Sequence, residues 1–144
     1  MNKFLAWLPA VMVLGTVIYR PVKEATETKL VSKNLSFAVY KSSSYTSGAY
    51  DNTSAQVHII VEKVNIRGTR TIVWDKTLDA KSLSQYPSME NALQQKISIP
   101  NVNEKKEHLV VYYTLTYNSK GSELQMQEGT VVKDEKTSRI DISI

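Results

Sequence analysis

Two histidines, His58 and His108, are the only side chains of this 144-residue chain whose ordinary titration lies near neutral pH, and cysteine is absent. Without thiols there is no disulfide framework, no thiolate nucleophile and no sulfur-ligated metal site. In AQVHIIVEK and HLVVYYTLTY each histidine falls out of phase with the apolar positions of its segment, which puts both on the solvent side of a strand. A metal centre needs further ligands at a suitable spacing, and neither histidine has them. No GxSxG, HExxH, P-loop glycine pattern or acidic calcium loop occurs. Asp75, Asp79, Glu123 and Glu128 would do paired-carboxylate chemistry only if the fold brought two of them together. Each stands among polar or basic neighbours, the setting of a solvated charge. The expectation is a protein without enzymatic activity, bound metal or cofactor.

Recognition chemistry is better represented. The stretch KSSSYTSGAYDNTS, residues 41–54, presents Tyr45 and Tyr50 among Ser, Thr, Gly and Asn. Rigid aromatic area combined with adaptable hydrogen bonding suits a contact loop. The alternative is a plain connection whose tyrosines fold back on the domain. Tyr86 lies in the second irregular stretch and is the third candidate contact residue, either beside Tyr45 and Tyr50 or at the opposite end of the molecule. Asn34 and Asn52 head Asn-X-Ser/Thr triplets, which matter only where exported chains are glycosylated.

What must position these residues begins with Phe4–Tyr19, FLAWLPAVMVLGTVIY, an uncharged run behind Lys3. A cationic tip followed by an apolar run is the opening of an export signal. As a helix it would rise about 24 Å against a hydrocarbon layer of about 30 Å. Trp7 and Tyr19 are placed for the two interfaces, with Lys3 and Arg20 beyond them. Small residues suited to peptidase cleavage do not follow the run, so a retained anchor is expected; the alternative is a cleaved signal and a secreted domain. The division read from the chain is residues 1–20 signal-anchor or signal peptide, 21–34 linker and 35–144 folded domain.

Lys and Arg number 18 against 14 Asp and Glu, a net charge of +4, and the basic residues are scattered among acids rather than gathered into a stripe. That dispersion argues against nucleic acid as a partner. With 42% hydrophobic residues there is material for one packed core.

From Leu35 onward a period of two dominates. Leu35, Phe37 and Val39 share a face, as do Val57, Ile59 and Val61; Ile72 and Trp74; Leu93, Ile97 and Ile99; Leu109, Val111, Tyr113, Leu115 and Tyr117; and Ile140, Ile142 and Ile144. Turn residues separate them at Asn65–Gly68 and at Asn118-Ser119-Lys120-Gly121, and Gly129 interrupts SELQMQEGTVV as a bulge or bend. Residues 79–92 break the rhythm and read as a loop with one helical turn. About seven strands at this spacing predict an all-β, antiparallel two-sheet sandwich preceded by an N-terminal hydrophobic helix.

The order of these features, with Trp74 in the third strand, KISIPNV leading to the penultimate one and YTLTYNSKGSELQ as a final hairpin, resembles an immunoglobulin-like or fibronectin type III-like sandwich over about residues 35–134. The paired cysteines of antibody domains are missing. Such folds serve many functions, so the resemblance implies a scaffold and no catalytic residues. The expected role is an exported, membrane-tethered module of the cell envelope or surface. Its partners would be the membrane, through Phe4–Tyr19, and another envelope or surface protein, engaged by loops or an open strand edge. The alternative is a carbohydrate- or small-ligand-binding module, for which Tyr45, Tyr50, Tyr86 and Tyr112 would have to supply coplanar exposed rings.

Overall fold

The computed structural model describes residues 29–132 and 135–144. The expected helix over 4–19 and the membrane contact assigned to it lie outside the described residues. Among the described residues no helix is long and apolar enough to cross a membrane, and the helical turns present are short 3₁₀ segments.

Among the described residues eight strands follow in order: β1 (Leu30–Tyr40), β2 (Thr53–Asn65), β3 (Arg70–Thr77), β4 (Lys81–Ser82), β5 (Leu93–Asn103), β6 (Glu107–Ser119), β7 (Ser122–Val131) and β8 (Thr137–Ser143). They form a three-stranded sheet in the order β5-β1-β8, and a five-stranded sheet in the order β3-β2-β6-β7 with β4 beside β2. The two sheets share one core. Leu35, Phe37 and Val39 from β1, Ile99 from β5 and Ile140 and Ile142 from β8 meet Val57, Ile59 and Val61 from β2 and Leu109, Val111 and Leu115 from β6. The alternation expected of these strands is what makes this possible, since each sheet turns one apolar face inward. Phe37 is fully buried and stacks on Trp74 of the opposite sheet, with ring centroids 5.4 Å apart.

The turn chemistry is realised at both hairpins. The Asn65 side chain accepts hydrogen bonds from the Arg67 and Thr69 amides, and Gly68 takes φ +81°. Between β6 and β7 the loop contracts to Lys120 and Gly121, with φ of +50° and +83°, the mirror-image turn whose twist suits a two-residue hairpin.

Four features differ from the sequence reading. Pairing is mostly antiparallel, but β8 runs parallel to β1, which is possible because nearly the whole domain intervenes between the two strands. β1 starts at Leu30, inside the stretch read as linker. Val31 pairs with Val102, and the buried Lys33 is held there by an ion pair to Glu104 at 2.5 Å. Ile72 does not share a face with Trp74. A register shift sets Trp74 opposite Val61 but Ile72 opposite Glu62, so the strand changes face at Val73 and Ile72 is exposed.

The fourth concerns Gly129, which marks no bulge, since β6 and β7 pair without interruption from Val110↔Val131 to Ser119↔Ser122. It stands directly opposite Tyr112, whose ring occupies the place of a side chain: a Cβ at residue 129 would lie 2.8 Å from that ring.

Candidate functional site

Residues 41–52 connect β1 to β2 across the two sheets, and the polar residues that suggested a contact loop also secure it. The amide and hydroxyl of Ser42 both donate to the main-chain oxygen of Ile144 at 2.9 Å, and the Tyr45 hydroxyl donates to the same oxygen at 2.6 Å. Tyr45 and Tyr50 pack edge to face, with centroids 5.1 Å apart at 76°. Tyr50 stays exposed, and Tyr45 leans on the core. Tyr86 does not join them. Its side chain is buried, donating its hydroxyl to the Ala55 carbonyl at 2.9 Å, and burial, helped by Tyr117, pushes its pKa up to about 12. Tyr112 is overlaid by the Arg70 guanidinium at 5.8 Å and rests on Gly129. These four rings do not form the coplanar platform that a sugar face requires.

The larger exposed apolar feature adjoins this loop. Tyr117 of β6, half-buried, has its hydroxyl pKa raised chiefly by burial and secondarily by Tyr45; directly across from it on β7 stands Leu124. Met126 stands opposite the buried Leu115, so Leu124 and Met126 lie on the core-facing side of the sheet. Yet they are 61% and 48% exposed, and all ten residues of β7 are exposed, because the three-stranded sheet does not reach over this edge.

The seam where β7 and β8 border different sheets is correspondingly open. It forms a cleft of about 270 Å³ lined by Tyr113, Glu128, Thr130, Arg139, Ile140 and Asp141. Its polar groups satisfy one another. Tyr113 donates to the Glu128 carboxylate, which together with burial, the larger cause, pushes the Tyr113 pKa up to about 12. Arg139 pairs with Asp141 at 2.9 Å. A wider depression of about 600 Å³ on the outer face of the small sheet has Lys96 as its one charged lining residue.

The other residues singled out for chemistry do not converge. His58 stands opposite Thr114 and His108 opposite Val64, far apart on the same ladder. His58 meets Asp75 at 2.8 Å, Glu123 accepts from Gln125, and Glu128 is engaged by Tyr113. Among the described residues no three metal-ligating side chains come together.

The arrangement is an exposed aromatic and apolar surface running from Tyr50 and Tyr45 across Tyr117 to Leu124 and Met126, ending at the outer edge of β7, which no strand pairs among the described residues. Tyr45 and Tyr50 were singled out from loop composition. Leu124 and Met126 were missed, although Leu-x-Met on the second strand of a hairpin, in a stretch lacking Lys, Arg and Pro, is the signal that finds them. Comparison of the chain with models of known families, with curated proteins and with solved structures returned no match.

Proposed function

We propose that this chain is an exported, membrane-tethered sandwich of immunoglobulin-like or fibronectin type III-like design that works as a protein-contact module of the cell envelope or surface. Its partner would dock on the β7 edge and the neighbouring Tyr45–Tyr50 loop. The observation that carries the reading is the state of β7: a regular ten-residue edge strand, fully exposed, with two large apolar side chains on the side that sheets normally bury. Soluble surfaces rarely keep such an edge bare, because unpaired amides and carbonyls flanked by apolar side chains recruit another chain. The tether rests on Phe4–Tyr19 and its flanking Lys3 and Arg20.

Two measurements test it. Intact mass of the protein recovered from a membrane fraction should equal that of the full chain; a shortened mass in the soluble fraction replaces the tether with secretion. A photo-crosslinking residue at Gln125, on the β7 edge, should give a protein adduct in that membrane fraction, whereas the same residue at Thr71, on the β3 edge, should not. Adducts equal at both positions, or absent at both, overturn the contact reading.

A further inference from the structure

We infer that the occupant of the β7 edge is a second copy of this chain, paired antiparallel to it about a two-fold axis at Gln125. The inference rests on the contact reading above and names its partner.

The backbone of β7 shows which groups are free. Ser119 and Ser122 flank a two-residue turn, so they form a hydrogen-bonded pair, and such pairs alternate along the ladder. The Val132 amide bonded to the Leu109 carbonyl at 2.9 Å keeps the same phase at the far end. Even-numbered residues of β7 therefore direct their amides and carbonyls toward β6. Glu123, Gln125 and Gln127 direct theirs outward, where no strand follows among the described residues.

A two-fold pairing of this edge must set each residue opposite one of the same face. Centred on Gln125, it places Leu124 opposite the second copy's Met126 and Met126 opposite its Leu124, joining the two exposed apolar pairs into one strip. Glu123 then faces the second copy's Gln127, Glu128 faces its Ser122, and Gln125 faces itself through its free amide and carbonyl. No charged residue is set against a like charge, a condition that cross-strand pairs require. Moving the centre to Met126 or to Gln127 puts Glu128 opposite an apolar Leu124 or Met126. Moving it to Leu124 leaves Met126 opposite Ser122, so of these centres Gln125 is the one that joins both apolar pairs without setting a charge against them. Copies tethered to one membrane would also meet at a raised effective concentration.

The absence of cysteine makes the register measurable, since one introduced thiol is then the sole thiol of the chain. Facing residues of a hydrogen-bonded antiparallel pair have Cα atoms about 5.5 Å apart, within disulfide range. In detergent-solubilised full-length protein, mild oxidation of Q125C should yield a disulfide-linked dimer. E123C alone and Q127C alone should each give at least tenfold less, and a mixture of the two should restore it.

Sedimentation of the unmodified full chain should show a dimer. Gln125→Pro should weaken its association at least tenfold, because proline there removes an outward amide and none that serves β6. Leu124→Lys, at an exposed position, should do the same with an unchanged circular dichroism spectrum. A monomeric full chain, a dimer indifferent to both substitutions, or a crosslinking maximum at residue 123 or 127 overturns the inference. If the chain is monomeric while the Gln125 photo-adduct contains a different protein, the self-pairing fails and the contact reading stands. If no β7 adduct forms, both fall.

Discussion

The five-stranded sheet ends in two edges that solve the same problem differently. β3 carries Arg70, Asp75 and Lys76 along its length, breaks its register at Val73, and turns Trp74 inward to stack on Phe37. Charge, irregularity and cover are the usual means by which an edge is made unattractive to another strand. β7 has ten residues without Lys, Arg or Pro, pairs with β6 without a shift, and lacks cover from the opposite sheet. Its one inward carboxylate, Glu128, is occupied by Tyr113. The small sheet is guarded too: β5 contains Pro100 and the positive φ of Asn101, and β8 alternates Arg139 with Asp141. Among the described residues, then, β7 is the edge without basic residues, irregularity or cover, and the contrast with β3 is between an edge closed by its own side chains and one that is not.

The largest loss of stability is expected on the β3 side. Phe37→Ala removes a fully buried ring and the support of Trp74, at a cost of about 3–5 kcal/mol. Urea unfolding followed by circular dichroism should show that loss as a lower midpoint with little change in slope.

A smaller effect is expected where β7 meets β6. In Gly129→Ala the new methyl lies 2.8 Å from the Tyr112 ring, so the ring must leave its seat beneath Arg70, costing about 1–3 kcal/mol. In a Tyr112→Ala background the same substitution should cost less than about 0.5 kcal/mol, because the contact is gone. That double-mutant cycle would show whether Gly129 is there for the ring or for the backbone.

Much of this frame was legible in the chain, and the failures share a cause. Alternation of Leu35, Phe37 and Val39, and of Leu109, Val111 and Leu115, identifies buried faces because period and pleat coincide. Ile72 was assigned to the wrong face because alternation presumes an unbroken strand, and the shift at Val73 reverses its phase. Gly129 signalled a bend but serves a neighbour on another strand, and the parallel β1–β8 pair depends on partner choice across the whole domain. Leu124 and Met126 show the limit most clearly. Their parity says which way they point, but whether a second sheet reaches over them depends on the width of that sheet. Tyr86 is the converse: an irregular, Ser-rich loop suggested exposure, while the hydroxyl had a buried carbonyl to satisfy at Ala55.

Tyr86 yields an effect of intermediate size and a test in pH. Tyr86→Phe forfeits a buried hydrogen bond worth about 1 kcal/mol at neutral pH. Because burial raises the pKa of this phenol to about 12, its neutral form is favoured in the folded state. The stability it contributes is complete below the ordinary tyrosine value of about 10 and is lost as pH rises through about 12. Between those values stability should fall less steeply in Tyr86→Phe than in the unmodified protein. The fall should persist in part, since Tyr113, bonded to Glu128 of β7, is also raised to about 12. Unfolding curves collected across the alkaline range read both contributions.

The smallest expected change in stability gives the sharpest comparison of the two edges. Ile72 on β3 and Leu124 on β7 are both large, apolar and more than half exposed, at 56% and 61%. Replacing either by Ser should shift unfolding by no more than about 0.5 kcal/mol, as surface substitutions remote from caps and cores do. If folding were all that selected these residues, the two variants would be indistinguishable in every assay. Ile72 points to the outer face, beside Glu62 on an edge bearing Arg70 and Lys76, where an incoming strand meets charge and a broken register. Leu124 points to the core-facing side, next to Met126, beneath free outward amides. Sedimentation of the full-length variants should therefore leave Ile72→Ser at the association state of the unmodified chain and shift Leu124→Ser toward monomer. Equal behaviour in association as well as stability would mean that the open edge of β7 is an incidental gap in the cover of the sandwich.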